Sequence, residues 1–329
     1  MNTKGITMKR IVYHAALSAA AVFSALPALT HAQGYPSRPI TVLINQETGG
    51  PTELFARAMG KLFQDRGNPP FIVETRPGAG GSIGVNACAR AKPDGYTACV
   101  VPRDMVSIVP FQEKLDFDPV KDLEPVTQIG WLANVIVVNP SLKVDSFKGL
   151  IEYSKQNPGK LNYTAFATAQ AIMQWIQNET GLKMTFIPFK GGPTAMQAFF
   201  SGDIHVMYLA AGNAGLAAQI KAGKIKALAM PDSHPLLPAV PTFAEAGLPQ
   251  FGFRSWLGFF TPAGVPKEVV QKLSTELQAV IRNPEFNTSV MVPFGYVPIG
   301  NSPEEFAKFI AVDRKDGATL AKLAGTRVQ

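Results

Sequence analysis

The chain has 329 residues, a net charge of +7, 46% hydrophobic residues and two cysteines. That length suggests about two domains with ample buried cores. No Lys/Arg-rich stripe accompanies the basic balance, which argues against a nucleic-acid partner. Only His205 and His234 lie beyond residue 32, with no Cys/His cluster at ligand spacing, which argues against a metal.

The N-terminus reads as an export signal. Lys4, Lys9 and Arg10 are positive, Ile11 to Leu29 is apolar and uncharged, and Thr30-His31-Ala32 ends on a small residue before Gln33. Met8 is an alternative start. The competing reading is a membrane anchor, but His14, Ser18, Ser24 and Pro27 interrupt the run. We therefore expect residues 1–32 to be removed near Ala32, leaving an exported mature protein. That leader holds three of the 31 Lys/Arg residues and none of the 24 acids, so the remainder carries +4. A mild positive bias suits an anionic ligand. An oxidising compartment permits a Cys88–Cys99 bond, and two buried thiols are the alternative.

Strand-like and helix-like segments alternate from there. Ile40 to Asn45 is a β-rich run, and Glu53 to Arg66 places Leu54, Phe55, Ala58, Met59, Leu62 and Phe63 at helical spacing. Phe71 to Glu74 is a strand, Ser82 to Ala91 a helix and Tyr96 to Val101 a strand. The same grammar restarts with a strand at Val135 to Val138. A helix at Phe147 to Gln156 and a strand at Leu161 to Ala165 follow. Next come a helix near Gln170 to Thr180, a strand at Thr185 to Pro188 and a helix at Thr194 to Phe200. Strands at Ile204 to Tyr208 and Ala227 to Ala229 flank a helix at Gly215 to Ala222. The strand Leu257 to Phe260 then precedes helices at Lys267 to Ile281 and Pro303 to Leu323. Repeated strand–helix units imply mostly parallel sheets with helices on their faces. Two such units favour an α/β protein of two lobes around a cleft, with crossings near residues 130 and 255.

Loops after strands and before helices are where open α/β sheets bind ligands, and a helix N-terminus there suits a carboxylate. The first, residues 46–52, contains Gln46, Glu47, Thr48, Gly49, Gly50 and Thr52. Its glycines allow close backbone approach, and its threonines could cap the helix or donate to an anion. The second, Pro77 to Gly84, follows a strand but lacks the GxGxxG spacing, so it does not read as a dinucleotide loop. The third holds Ala165, Phe166, Ala167 and Thr168, with Phe166 placed to stack on an apolar ligand or simply to pack in the core. The fourth holds Lys190, Gly191 and Gly192. Arg103 follows a strand and is suited to grip a carboxylate, unless it pairs with Asp104 or another surface acid. Arg254 is a weaker candidate of the same kind. No GxSxG elbow, HExxH or triad is present, so catalysis has few players.

At this point the chain resembles a known family: the extracytoplasmic receptors of tripartite tricarboxylate transporters, often called Bug proteins. The resemblance runs from Tyr35 to the C-terminus. It is carried by YPSRPI (35–40), the Gly-Gly-Pro-Thr loop with Ala56-Arg57, ETRPGAGGSIG (74–84), KPDGYT (92–97) and DFDPVKDLEPV (116–126). NPGKLNY (157–163), IPFKGG (187–192), VPTFAEAGLP (240–249) and WLGFFTPAGVP (256–266) continue it. It implies a Venus flytrap, periplasmic-binding-protein-like fold: domain 1 from residues 33–130 plus 256–329, and domain 2 from 131–255. It also implies carboxylate contacts from the 46–52, 165–170 and 189–194 loops, partly through backbone amides and waters. No cofactor is expected, and a membrane permease is the implied partner of a monomeric receptor.

The chain departs from the family pattern at the expected pocket. Gln46-Glu47-Thr48 replaces an aromatic residue or Pro followed by Ala, and Glu53 replaces the usual Asp. Ala198 and Leu209 stand where acids are common, and Arg103 where a small polar residue is common. Fewer acids and an added arginine fit a firmly held carboxylate. With Phe166 close by, a phthalate-type aromatic acid joins di- and tricarboxylates as a candidate. Glu47 points instead to a ligand with a donor group. The competing classes are a secreted α/β enzyme, a periplasmic sensor, and the effector domain of a transcription regulator. The last needs a DNA-binding helix-turn-helix where this chain has a leader.

Overall fold

The computed structural model describes residues 34–166, 168–189, 192–213, 215–248 and 254–323, with only the backbone of Thr168 and Leu323. The predicted leader lies outside them.

Strand β1 (Ile40–Ile44) is buried on both faces, as expected of a strand covered by helices on either side. Helix α1 (Pro51–Asp65) begins with proline at its first position, where the missing N–H costs nothing, after Gly50 as N-cap. Its Phe55, Met59 and Phe63 recur every four residues and are fully buried. Gly60 lets it lie close on β2 (Phe71–Thr75), because a Cβ there would stand 3.0 Å from the Phe71 side chain. Helix α2 (Ser82–Ala89) is fastened to β3 (Thr97–Pro102) by a Cys88–Cys99 disulfide, so the two buried cysteines are bonded. The short helix α3 (Arg103–Ser107) follows, then β4 (Leu123–Leu132).

Crossing to the second lobe takes one residue. There the chain forms β5 (Asn134–Val138), α4 (Phe147–Gln156), β6 (Asn162–Ala165), α5 (Thr168–Thr180), β7 (Thr185–Phe186) and α6 (Gly192–Ser201). Next are β8 (Val206–Ala210), α7 (Leu216–Lys221) and β9 (Lys226–Ala229). Helix α4 starts as its sequence suggests: the Gly149 N–H donates to Oγ of the N-cap Ser146 at 3.0 Å. The chain returns through β10 (Ser255–Pro262), α8 (Lys267–Ile281), β11 (Tyr296–Pro298) and α9 (Pro303–Leu323).

The first lobe holds a six-stranded sheet in the order β11-β4-β10-β3-β1-β2, and the second a five-stranded sheet in the order β7-β6-β8-β5-β9. The expectation of mostly parallel sheets needs correction. β1 pairs with β2 and β3 in parallel, and β6 with β7 and β8, but β10 is antiparallel to both β3 and β4. β11 runs antiparallel to β4, as β5 does to β8 and β9. The reason is the crossing: β4 leaves its lobe and β10 re-enters it, so the two run in opposite directions side by side.

Each sheet is covered on both faces. Ile40, Val42, Phe55, Val270 and Leu277 pack on one side of the first sheet, and Leu43, Val101, Trp256, Phe260 and Phe306 on the other. Ile136, Tyr163, Ile172 and Met173 cover one face of the second, and Val135, Val137, Phe199 and Leu216 its opposite face. Helix α9 spans both lobes. Its Phe306 and Ile310 join the first-lobe core, whereas Leu320 and Ala321 join the second-lobe core. The lobes also touch through backbone at the base of the cleft. Ala133 N–H donates to Gly295 O at 2.8 Å, and a Cβ on Gly212 would meet the Phe294 carbonyl group at 2.2 Å. Among the described residues no helix is long and apolar enough to cross a membrane.

Candidate functional site

A cleft of about 320 Å³ lies where the two lobes meet. Its first-lobe wall begins with the loop after β1. Thr52 Oγ1 donates to Gln46 Oε1 at 2.6 Å, which fixes the Gln46 amide, and both residues line the cleft. Helix α1 has no side-chain cap, so of the two roles open to the threonines, capping is not used. Thr48 instead bonds Thr75 across the sheet edge at 2.6 Å. The loop is organised by Glu53, whose Oε2 accepts from the Gly49 N–H at 2.7 Å and whose Oε1 accepts from Arg57 Nε at 2.8 Å. The Gly49 N–H, with Arg57 beside it, holds the Glu53 carboxyl below the usual carboxylate range, against the opposing effect of burial. Gly49 sits at φ 80°, where glycine is favoured. Glu47 is exposed and lies outside the cleft wall, as do Thr48, Gly49 and Gly50.

Arg103 opens α3 and lines the same wall, but it is only 1% exposed. Its Nε donates to Asp313 Oδ1 at 2.9 Å and Oδ2 at 3.0 Å, and Trp256 Nε1 donates to Asp313 Oδ2 at 3.1 Å. The sequence offered a bound carboxylate or a surface acid as its partner, and the structure adds a buried acid on α9, itself 3% exposed. The Nε side of the guanidinium serves this internal pair, so Arg103 is a structural residue as well as part of the cleft wall. Asp104, half-buried, lines the cleft next to it.

On the second-lobe side the wall is mostly apolar. Phe166 follows β6, is 38% exposed and lines the cleft, whereas the Ala165 side chain points into the core. Gly192 at the start of α6 lines the cleft with open space where a Cβ would be, and Met196 follows one turn later. Ala169, the β8 residues Met207, Leu209 and Ala210, and the polar Asn213 also line it. Leu209 is thus an apolar wall residue, while Ala198 packs against the core instead. Ala167, Lys190 and Gly191 lie outside the described residues, as does the Thr168 side chain.

The floor comes from the crossing strands. Asn134 Nδ2 donates to Ser255 Oγ at 3.1 Å, tying β5 to β10. Burial pushes the Tyr208 hydroxyl far up, so it stays protonated and able to donate. A second cavity of about 330 Å³ adjoins the same strands and shares Asn134, Tyr208 and Ser255 with the cleft. Arg254 borders that second cavity. It is held to Asp232 by two hydrogen bonds of 2.6 and 2.7 Å and lies over the Trp131 ring.

No histidine or cysteine lines the cleft among the described residues. Nor do three His, Cys, Asp or Glu side chains gather anywhere among them as a metal site. The arrangement offers hydrogen-bond donors and apolar surface between two lobes, with few groups able to carry acid–base chemistry.

The family model described as the tripartite tricarboxylate transporter family receptor matches residues 55–324. The chain belongs to this family. A protein from the gbd 5′ region of Cupriavidus necator is 30% identical over 321 residues, covering 96% of each chain. Among solved structures, the periplasmic binding protein BugD is similar at 30% identity and a TM-score of 0.76, covering 90% of this chain and all of BugD. An R. palustris protein with adipate is similar at 26% identity and a TM-score of 0.79, again over 90% of this chain and all of that one. The family and the fold are those of solute-binding proteins of the periplasm, with two α/β domains.

Several wall residues of the receptor went unnoticed in the sequence. Asn134 and Ser255 border the predicted crossings, and that position was the available signal. Tyr208, Met196 and Met207 look like ordinary core residues within their segments, and nothing local distinguishes them.

Proposed function

We propose that this receptor captures a small carboxylate in the periplasm, closes its lobes on it, and delivers it to the permease of a tripartite tricarboxylate transporter. The observation that carries the reading is the cleft itself, enclosed by two lobes and lined by donors without a nucleophile–base pair. Gln46, the Tyr208 hydroxyl, Asn134 and Asn213 supply neutral donors, and the N-termini of α1 and α6 supply orphan backbone N–H groups. Arg103 adds positive charge, moderated by Asp313 behind it. In this reading Gln46, Thr52, Arg103, Phe166 and Gly192 touch the solute. Residues 47–50 and Ala165 shape the loops around it, and Ala167, Thr168, Lys190 and Gly191 are proposed as further contacts.

Residues 1–32 act as the cleaved leader. Residues 33–130 with 256–329 form one closing unit and 131–255 the other, with the last turn of α9 strapped onto the second. The test is a thermal-shift screen of the exported protein against citrate, malate, adipate and benzoate, since a ligand bound only by the folded state raises the Tm. We expect a saturable, stoichiometric shift with the compound recovered intact. Turnover of the bound compound, or no shift with any carboxylate, refutes the reading.

A further inference from the structure

We infer that the solute of this receptor carries a single carboxylate, and that any further polar group on it is uncharged. This rests on the carboxylate-receptor reading and adds the charge of the solute. The observation is the charge that lines the cleft. Among the described residues lining it, only Arg103 and Asp104 are charged. The Arg103 guanidinium already faces the buried carboxylate of Asp313, which accepts from its Nε at 2.9 and 3.0 Å. One cation therefore stands against two carboxylates. Lys190, proposed as a further contact, brings the total to zero and not above it. The start of α1 is also partly taken. Glu53 in its first turn accepts from the Gly49 N–H at 2.7 Å, and Arg57 offsets that charge. The adjoining cavity adds no net charge, because the charged residues that line it, Arg254 and Asp232, are paired with each other.

One carboxylate can be held here without a net positive charge. The start of α6 suits an anion, and Gln46 adds a neutral donor on the opposite wall. A second carboxylate, enclosed as the lobes close, would lose its hydration with no further cation among the described lining residues to meet it. It would also share the lining with Asp104. Burying an ionised group without a counter-charge is costly, and like charges repel more strongly once water is excluded. A neutral amide or hydroxyl at the same place escapes both penalties. Asn134, Asn213 and Ser255 line the cleft and have groups that donate and accept, and a carboxylate such as Asp104 accepts.

The test is calorimetric titration of the exported protein at neutral pH with three matched pairs: succinate and succinamate, adipate and adipamate, phthalate and phthalamate. Within each pair one carboxylate becomes an amide of nearly the same size. In every pair that the cleft accommodates, the monoanion should bind at least tenfold more tightly than the dianion. Asp104→Asn should narrow that ratio at least threefold, with melting curves as the folding control. A dianion that binds as tightly as its monoamide, or more tightly, overturns the inference and leaves the carboxylate-receptor reading standing. Binding confined to multiply charged acids, citrate and malate included, overturns it likewise. A ratio that Asp104→Asn leaves unchanged overturns the part given to Asp104. No binding by any of these acids or by benzoate overturns both readings.

Discussion

Replacing Asp313 by Asn removes the charge that faces a fully buried Arg103. The native carboxylate accepts two hydrogen bonds from Arg103 Nε and one from Trp256 Nε1, at 2.9, 3.0 and 3.1 Å. An asparagine keeps one acceptor oxygen and turns an N–H₂ group toward at least one of those donors. Breaking a buried ion pair on one side costs about 3–5 kcal/mol, because the remaining charge stays in a low-dielectric interior. Against a total stability on the order of 5–15 kcal/mol, that is a large fraction. For a chain of this size the melting temperature should fall by roughly 5–15 °C. Urea titration followed by tryptophan fluorescence reads the change, since Trp256 is itself a partner. The double variant Arg103→Leu/Asp313→Leu should recover part of the loss, because it leaves no charge unpaired. A single Asp313→Asn variant within about 1 kcal/mol of the parent would refute the argument and place the pair in a far more hydrated setting than its burial implies. Arg103→Ala perturbs the same pair from its other side. That change strands Asp313, so a loss of carboxylate binding counts as a contact effect only if the variant still melts cooperatively.

Gly317→Ala should destabilise by about 1–3 kcal/mol or more, measured by chemical denaturation, since its Cβ would lie 1.6 Å from the Ser107 carbonyl oxygen where α9 crosses α3. Removing the Cys88–Cys99 bond by a paired Cys→Ala change should cost about 3 kcal/mol for so short a loop, seen as a lower urea midpoint that reductant does not lower further. Burial pushes the His234 imidazole down, so its neutral form is the one the fold holds, with Nδ1 accepting from the Leu236 N–H at 3.3 Å. The unfolded chain then binds the proton more readily. This contribution is intact above the ordinary histidine value of 6.5 and is lost as pH falls below it toward the folded value. His205, also pushed down by burial, acts in the same sense, so His234→Gln should flatten the decline in Tm between pH 7.5 and 5 only in part.

Much of this molecule was legible locally. Helix α8 begins and ends where its apolar spacing predicts, and the alternation of strands and helices led to two α/β lobes with a cleft at the strand ends. What escaped notice had no local signature. β4 contains Pro125, which disguises a ten-residue strand, and it is tolerated where the ladder with β10 is irregular. The three-residue β11 has too few positions to show a period.

The cleft divides in the same way. Spacing and residue type were enough to place Gln46 and Phe166 after strands and Thr52 and Gly192 near the starts of the following helices, because helix starts and glycine turns are short-range events. The role of Arg103 was decided elsewhere, by an acid 210 residues further along on a helix that bridges both lobes. Likewise the sequence permitted a bond between Cys88 and Cys99, and the packing of α2 on β3 made it. The sequence by itself determined most of the segments that are strands or helices and where a cleft could open, since those follow from local propensity and periodicity. Only the tertiary structure decided which charges meet, which residues line the cleft and which strands run antiparallel, because those depend on contacts between segments far apart in the chain.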